Sequence, residues 1–125
     1  MLAKLLLCGL AAGAILLAVG SPAEIAAAAH GKELFERRCS GCHAADIDKE
    51  GPRLRGVYGR KAAGVTGFGY SDSLKKLNIR WDDASLDKWL INPDVMAPDT
   101  DMAFRLADAA ERKAVIAYLK SLSGQ

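Results

Sequence analysis

The chain has 125 residues, half of them hydrophobic, and its 17 basic and 15 acidic residues give a formal charge of +2. Such a balance excludes nucleic-acid binding through a dense basic surface, and it excludes an acidic disordered chain. The hydrophobic residues are unevenly distributed, since they make up 22 of the first 29 residues and 41 of the remaining 96. The length therefore allows one small domain, residues 30–125, after an apolar segment, residues 1–29.

The apolar segment has the layout of a secretory signal peptide. A positively charged start is followed by an uncharged run over residues 5–19, which Gly20-Ser21-Pro22 interrupts before a series of small residues. We expect cleavage after Ala23 or within residues 26–29, and therefore export to the periplasm. The alternative is an uncleaved membrane anchor.

The domain opens with a predicted helix over residues 31–40, because Leu34, Phe35 and Cys39 fall near one helical face. A glycine-rich stretch follows, which favours turns and ordered loops over a sheet. Its glycines are Gly51, Gly56, Gly59, Gly64, Gly67 and Gly69. Loops of this length are unusual in a compact domain unless they surround an additional component. The domain therefore needs an additional component at its centre.

A second helix is predicted to begin after Asp82 or Asp83. Its buried face follows helical spacing and consists of Leu86, Trp89 and Leu90. Asn92-Pro93 ends this helix, and the proline-rich residues 92–102 are expected to form neither helix nor strand.

The last predicted helix begins at a pattern that resembles a capping box, Asp108 with Glu111 three positions later. It ends before Gly124. One of its faces is apolar and carries Val115, Ile116, Leu119 and Leu122. The segments together predict an all-α domain with long ordered loops.

The most specific feature is Cys39-Ser40-Gly41-Cys42-His43, which has the C-x-x-C-H spacing of a c-type haem attachment site. Two thiols at this spacing reach the two vinyl groups of a porphyrin, and the next imidazole then lies under the iron. A thioredoxin-like pair would follow a strand, and no strand pattern precedes Cys39. A zinc site needs four ligands, and only His30 remains to add one, whereas a plain disulfide leaves His43 unexplained. We therefore predict one haem c, attached through Cys39 and Cys42.

The sixth ligand of such an iron has two candidates in the domain, Met96 and Met102. His30, the only other histidine, is too near the cysteines in sequence to reach the far side of a haem, and we expect it to be exposed. Both methionines lie in residues 92–102, a loop that can wrap that far side. Ala103-Phe104 can bury beside Met102, so position favours Met102 and leaves Met96 open.

The domain resembles the class I cytochromes c, of the short mitochondrial-like type found as soluble carriers in bacteria. The resemblance runs from residue 31 to about residue 122. Beyond the haem motif it rests on Gly51-Pro52-Arg53-Leu54, Gly59-Arg60-Lys61, Gly67-Phe68-Gly69-Tyr70-Ser71-Asp72, Trp81, Pro98-Asp99-Thr100-Asp101-Met102 and Ile116-Ala117-Tyr118-Leu119. It implies an all-α fold of three to five short helices and ordered loops around one covalently bound haem.

The resemblance also implies roles for individual residues. It makes His43 and Met102 the axial ligands, with the carbonyl of Pro52 accepting a hydrogen bond from the histidine ring. Thr100 is implied to lie beside the ligand loop. The residues implied to hydrogen-bond a buried haem propionate are Arg60, Tyr70 and Trp81. The first and last helices are implied to meet at Gly31, Phe35 and Tyr118.

Some positions depart from the family pattern. Leu74 stands where mitochondrial members carry an asparagine in a buried water network. Asp94 and Asp101 stand where basic members carry lysines beside the exposed haem edge, although Arg38 keeps a basic position there. We therefore expect no strong electrostatic steering of a partner.

The function implied by the resemblance is one-electron transfer, not catalysis. The carrier would serve membrane redox complexes (a quinol–cytochrome c reductase, a terminal oxidase or a photosynthetic reaction centre) or a periplasmic dehydrogenase. We expect a monomer in the periplasm without a nucleic-acid partner. The alternatives are a membrane-tethered carrier, if residues 1–29 are kept, and a haem sensor or peroxidase-like protein with an open axial site, if Met102 does not bind.

Overall fold

The computed structural model describes residues 20–124, which contain five α-helices and no β-strand. The helices are α1 (Pro22–Arg38), α2 (Asp72–Lys75), α3 (Asp83–Ile91), α4 (Pro93–Met96) and α5 (Ala109–Ser123). An isolated antiparallel bridge joins Lys61 and Arg80. The predicted all-α architecture is thus confirmed. The apolar run of the predicted signal peptide lies outside the described residues.

Helix α1 begins at Pro22, nine residues before the predicted start at residue 31. Ser21 and Glu24 form a capping box, in which the Ser21 N–H donates to Glu24 Oε2 at 2.7 Å. The alanines that follow have the highest helix propensity of any residue, and the helix continues through Gly31 until Cys39 caps its other end. The cleavage positions predicted at Ala23 and within residues 26–29 therefore lie inside α1. Among residues 20–124, no helix combines the length and hydrophobicity that a membrane crossing requires.

Helices α1 and α5 pack closely because Gly31 has no side chain. A Cβ atom at this position would overlap the carbonyl oxygen of Ala114 and lie 2.9 Å from the Cβ of Tyr118. The Phe35 and Tyr118 rings pack beside it, with centroids 5.4 Å apart. The predicted contact between the first and last helices is confirmed.

The glycine-rich residues between α1 and α3 form ordered loops, as predicted, with the single turn of α2 among them. Backbone hydrogen bonds join these loops to Trp81, which lies two residues before α3. The Gly59 N–H donates to Trp81 O at 2.7 Å, and the Trp81 N–H donates to Arg60 O at 2.9 Å. The loops therefore present Trp81 and Arg60 at fixed positions.

Helix α3 begins as predicted, with Asp82 as its N-cap: the carboxylate accepts from the Ser85 N–H at 2.8 Å. The prediction that residues 92–102 contain no helix is wrong, since Pro93–Met96 forms the single turn α4. Asn92 caps that turn by accepting from the Asp94 N–H at 3.2 Å, and proline is well suited to a first helical position.

Helix α5 begins after Asp108, whose carboxylate accepts from the Glu111 N–H at 2.8 Å, and it ends before Gly124. Both bounds agree with the prediction. The predicted apolar face is buried and consists of Val115, Ile116, Leu119 and Leu122. Two of its members, Val115 and Leu119, form part of the wall of a cavity.

Candidate haem-binding cavity

One cavity of about 290 Å³ lies between the loops and the helices, and its wall is mainly apolar. All the residues for which a haem role was predicted line it: Cys39, Cys42, His43, Pro52, Arg60, Tyr70, Trp81, Thr100 and Met102. The other candidate ligands lie elsewhere, since the His30 side chain is 58% exposed and Met96 packs against the core at the end of α4. Residues distant in sequence are thus brought to one apolar space.

The Cys39–His43 turn continues the backbone path of α1. Cys42 N–H and His43 N–H both donate to Cys39 O, at 3.1 and 2.9 Å. Burial raises the pKa of the Cys39 thiol to about 11. The pKa of Cys42 is also raised, mainly because its thiol donates to Glu50 Oε2 at 3.4 Å. Both cysteine side chains line the cavity.

The His43 ring is fixed from two sides. Its Nδ1 lies 2.9 Å from Pro52 O, and because a carbonyl oxygen only accepts, Nδ1 carries the proton and Nε2 keeps its lone pair. A Cβ atom at Gly51 would lie 2.6 Å from Nδ1 and 2.7 Å from Nε2, so only glycine lets the backbone pass the ring. Burial lowers the pKa of His43, which favours the neutral imidazole that binds metal.

Met102 lies on the wall formed by α3 and the loop after α4. Its Sδ accepts a hydrogen bond from Trp89 Nε1 at 3.1 Å. The Trp89 ring in turn packs edge-to-face on Trp81, with centroids 5.3 Å apart. The cavity therefore has an imidazole nitrogen and a thioether sulfur in its wall, which are the donor atoms of a six-coordinate electron-transfer haem.

Comparison with known proteins agrees with this chemistry. The profile of the cytochrome c family matches residues 28–123. The chain belongs to the cytochrome c family. Cytochrome c of Euglena viridis is 44% identical over 98 residues, which cover 76% of this chain and 96% of that protein. Cytochrome c2 iso-2 of Magnetospirillum fulvum is 45% identical over 87 residues, covering 67% of this chain and 91% of that protein.

A solved structure is also similar, that of cytochrome cH from Methylobacterium extorquens. It has a TM-score of 0.71 and 41% sequence identity, and the match covers 75% of this chain and 97% of that chain. Cytochromes c carry one c-type haem bound covalently through cysteines, and in this chain the cysteines with the required spacing are Cys39 and Cys42. The cavity fits this group, since Gly51 leaves room for the histidine ring and the wall is apolar. This cytochrome is therefore a haem-based electron carrier.

The three residues predicted to contact a haem propionate, Arg60, Tyr70 and Trp81, all line the cavity. Arg60 is half-buried, which lowers its pKa, and its guanidinium donates to Arg53 O at 3.0 Å and to Arg55 O at 3.2 Å. The Tyr70 hydroxyl accepts from Val65 N–H at 3.0 Å, so its own hydrogen can be donated to an anion. Trp81 is buried in the wall.

Trp89 has a role that the sequence analysis missed. Its spacing with Leu86 and Leu90 predicts burial in the core, and it is buried. That spacing carries no information on the indole nitrogen, which reaches Met102 thirteen positions further along the chain. A tryptophan shortly before a loop that carries a candidate ligand was the only available signal.

The positions that depart from the family pattern lie in different places. Leu74, Asp101 and Arg38 line the cavity, and Arg38 also pairs with Glu111 at 3.7 Å. Asp94 lies at α4, where its carboxylate accepts from the Asp99 N–H at 2.8 Å. Leu74 thus makes this part of the wall apolar, and Asp94 stabilises the loop that leads to Met102.

Proposed function

We propose that this cytochrome is a one-electron carrier whose haem iron takes His43 Nε2 and Met102 Sδ as axial ligands. The observation that supports it best is the oriented His43 ring, whose Nδ1 is occupied by Pro52 O at 2.9 Å while Nε2 keeps its lone pair. When bound, the haem supplies the iron that gains and loses one electron. A thioether ligand favours ferrous iron and raises the reduction potential.

The surrounding residues support transfer over catalysis. The apolar wall excludes water, and two protein ligands leave no coordination position for oxygen or peroxide. Arg60, Tyr70 and Trp81 supply the polar atoms that a buried propionate requires, since a carboxylate removed from water is costly without donors. The chain's residues therefore hold the ligands in place while the charge of the iron changes.

The direct test is the spectrum of the oxidised protein and of two methionine variants. We expect the near-infrared methionine–iron band in the unmodified protein, its loss in Met102→Ala, and its retention in the matched control Met96→Ala. Loss of the band in Met96→Ala alone would show that the ligand is Met96. A high-spin spectrum of the unmodified protein, or ready binding of carbon monoxide after reduction, would favour the sensor or peroxidase-like alternative.

The proposed partners are redox complexes of the membrane or a periplasmic dehydrogenase, met by a monomer exported to the periplasm. Relatives named cytochrome c and cytochrome c2 support an electron carrier of this family. The mass of the exported protein would test the processing: a mass that lacks the first 23 to 29 residues and includes one haem supports cleavage. A mass that includes the whole chain and the haem would support the tethered carrier.

The charge of the domain predicts how strongly salt affects its reactions. Residues 30–125 hold 16 basic and 14 acidic residues, and two propionates would bring this total near zero. We expect added salt to change the rate of oxidation by a membrane redox complex by less than about tenfold, the lower end of the range for steered association. A steeper dependence would show a charged docking surface that the net charge conceals.

A further inference from the structure

Arg112 is the only charged residue that is buried among residues 20–124, with 8% of its surface exposed. It lies in the first half of α5. A guanidinium removed from water is costly unless its N–H groups have partners. The partners of Arg112 therefore indicate what this buried charge holds together.

The guanidinium joins α5 to two other parts of the chain. Nε donates to Asp87 Oδ1 in α3 at 2.7 Å. Nη1 donates to two successive carbonyls, Leu106 O at 3.0 Å and Ala107 O at 2.7 Å. These carbonyls belong to the segment that leads from Met102 to α5, residues 103–108, which we call the return arm.

The return arm is non-helical, so its position depends on contacts with the helices around it. The Leu106 side chain is buried, and the Leu106 N–H donates to Leu90 O at 2.8 Å. Arg112 binds the carbonyl oxygens of Leu106 and of the next residue, Ala107. The arm is thereby held to α3 on one side and to α5 on the other, four and five residues after Met102.

Asp87 adds an orienting contact at Nε, the guanidinium nitrogen nearest the helix. It lies in α3 two residues before Trp89, whose indole N–H bonds the Met102 sulfur. Arg112 therefore links the return arm to the helix that contacts the sulfur. A lysine at this position would keep the charge but not the planar set of donors that reaches both carbonyls and the carboxylate.

We propose that Arg112 is a positioning residue that keeps Met102 at the iron by fixing the return arm. The inference rests on the proposed His43 and Met102 ligation. With that ligation the thioether–iron bond would be the weaker of the two protein–iron bonds, because a soft thioether sulfur is a poor ligand for the hard ferric ion. Release of the arm therefore lets an external ligand replace the methionine while the rest of the domain stays folded.

The test measures the affinity of the oxidised holoprotein for imidazole, at a temperature where far-UV circular dichroism shows each variant folded. We expect Arg112→Lys to bind imidazole about tenfold more tightly than the unmodified protein, as loss of buried hydrogen bonds implies. Asp87→Asn leaves the hydrogen bonds from Arg112 to the two carbonyls in place, so its imidazole affinity should rise by a smaller factor. This second variant makes the test decisive even if Arg112→Lys folds poorly.

The matched control is Leu122→Ala, a buried position on the same helix that does not line the cavity. It should lower Tm and leave imidazole affinity within about twofold, because a cavity far from the arm affects global stability alone. A lower Tm with unchanged imidazole affinity in both Arg112→Lys and Asp87→Asn would overturn the inference. Absence of the methionine–iron band in the unmodified protein would overturn the proposed ligation and, with it, this inference.

Discussion

The two walls of the cavity hold their candidate ligands in different ways. The histidine wall, residues 39–52, fixes His43 through near neighbours in sequence: the Cys39 carbonyl, the Gly51 backbone and Pro52 O. The methionine wall consists of α3, α5 and the loop that connects α4 to α5. There, Met102 is held by Trp89, while Arg112 holds the return arm behind it. One candidate ligand is held by local structure and the other by tertiary contacts.

We expect this difference to determine which candidate ligand is the easier to displace. A local contact is kept as long as its own short segment is folded, whereas a tertiary contact is lost when any one of the elements that make it moves. The histidine wall also carries both cysteines, so covalent attachment of the haem restrains it further. We therefore expect changes in the histidine wall to prevent assembly, and changes in the methionine wall to weaken one bond in an assembled protein.

The largest effect is expected for Gly51→Ala. The added Cβ would lie 2.6 Å from His43 Nδ1, so either the ring or the backbone must move. Overpacking of this kind costs about 1–3 kcal/mol or more of folding free energy, and here it also displaces a ligand. We expect little haem-loaded, low-spin protein after expression, measured by the absorbance of haem relative to protein.

Gly41→Ala is the matched control for Gly51→Ala. Gly41 lies inside the haem motif, yet a Cβ atom there would meet nothing within 4 Å. This variant should therefore load haem at nearly the unmodified level. Equal loading of the two variants would show that close passage of the backbone past the histidine ring is not required.

A moderate effect is expected for Trp89→Phe, which keeps an aromatic ring and removes the N–H that bonds Met102 Sδ at 3.1 Å. With Met102 bound to iron, the donor would withdraw electron density from the sulfur, and this would disfavour ferric iron. Its removal should lower the midpoint potential by about 20–60 mV, the one-electron equivalent of a net hydrogen bond of about 0.5–1.5 kcal/mol. Voltammetry of the holoprotein measures the shift, and the methionine–iron band should remain.

Leu90→Val controls for altered packing in the same helix. Leu90 is buried and lines the cavity, but its side chain donates no hydrogen bond. We expect a lower Tm with a smaller change in potential than in Trp89→Phe. A larger shift in Leu90→Val would show that the shape of the wall, not the indole N–H, sets the potential.

The two walls also differ in how far the sequence predicts them. The haem motif, with His43 in it, depends on a short spacing, which a sequence displays directly, whereas the role of Pro52 is implied by the family resemblance. Trp89 and Arg112 were not predicted as site residues, because helical spacing indicates burial and carries no information on which distant atom a buried polar group meets. Helix α4 was missed because a proline usually ends a helix, whereas Pro93 here begins one.

The start of α1 shows the same limit at the level of local structure. Residues 22–30 combine helix-forming alanines with the small residues of a cleavage site, and one sequence satisfies both patterns. The capping box of Ser21 and Glu24 would have extended the predicted helix. Capping patterns were used for α3 and α5, and those two helices begin where they were predicted.

The smallest effect is expected for Asp82→Ala, which removes the N-cap of α3 and leaves Trp89, two turns further on, in place. Loss of the cap should lower Tm at pH 7 and leave imidazole affinity unchanged. The Ser85 N–H lowers the pKa of Asp82, so its carboxylate stabilises the fold above the unfolded pKa of about 3.9, and this contribution is lost as pH falls through the lower folded pKa. The gap in Tm between the unmodified protein and Asp82→Ala should therefore narrow in acid.

Asp82→Asn is the matched control, because asparagine caps equally well without a charge. At pH 7 its Tm should lie close to that of the unmodified protein, and its Tm should lack the pH dependence that the carboxylate of Asp82 contributes. Tighter imidazole binding in Asp82→Ala would show that the methionine wall depends on the whole of α3 and not on the particular contacts of Trp89 and Arg112.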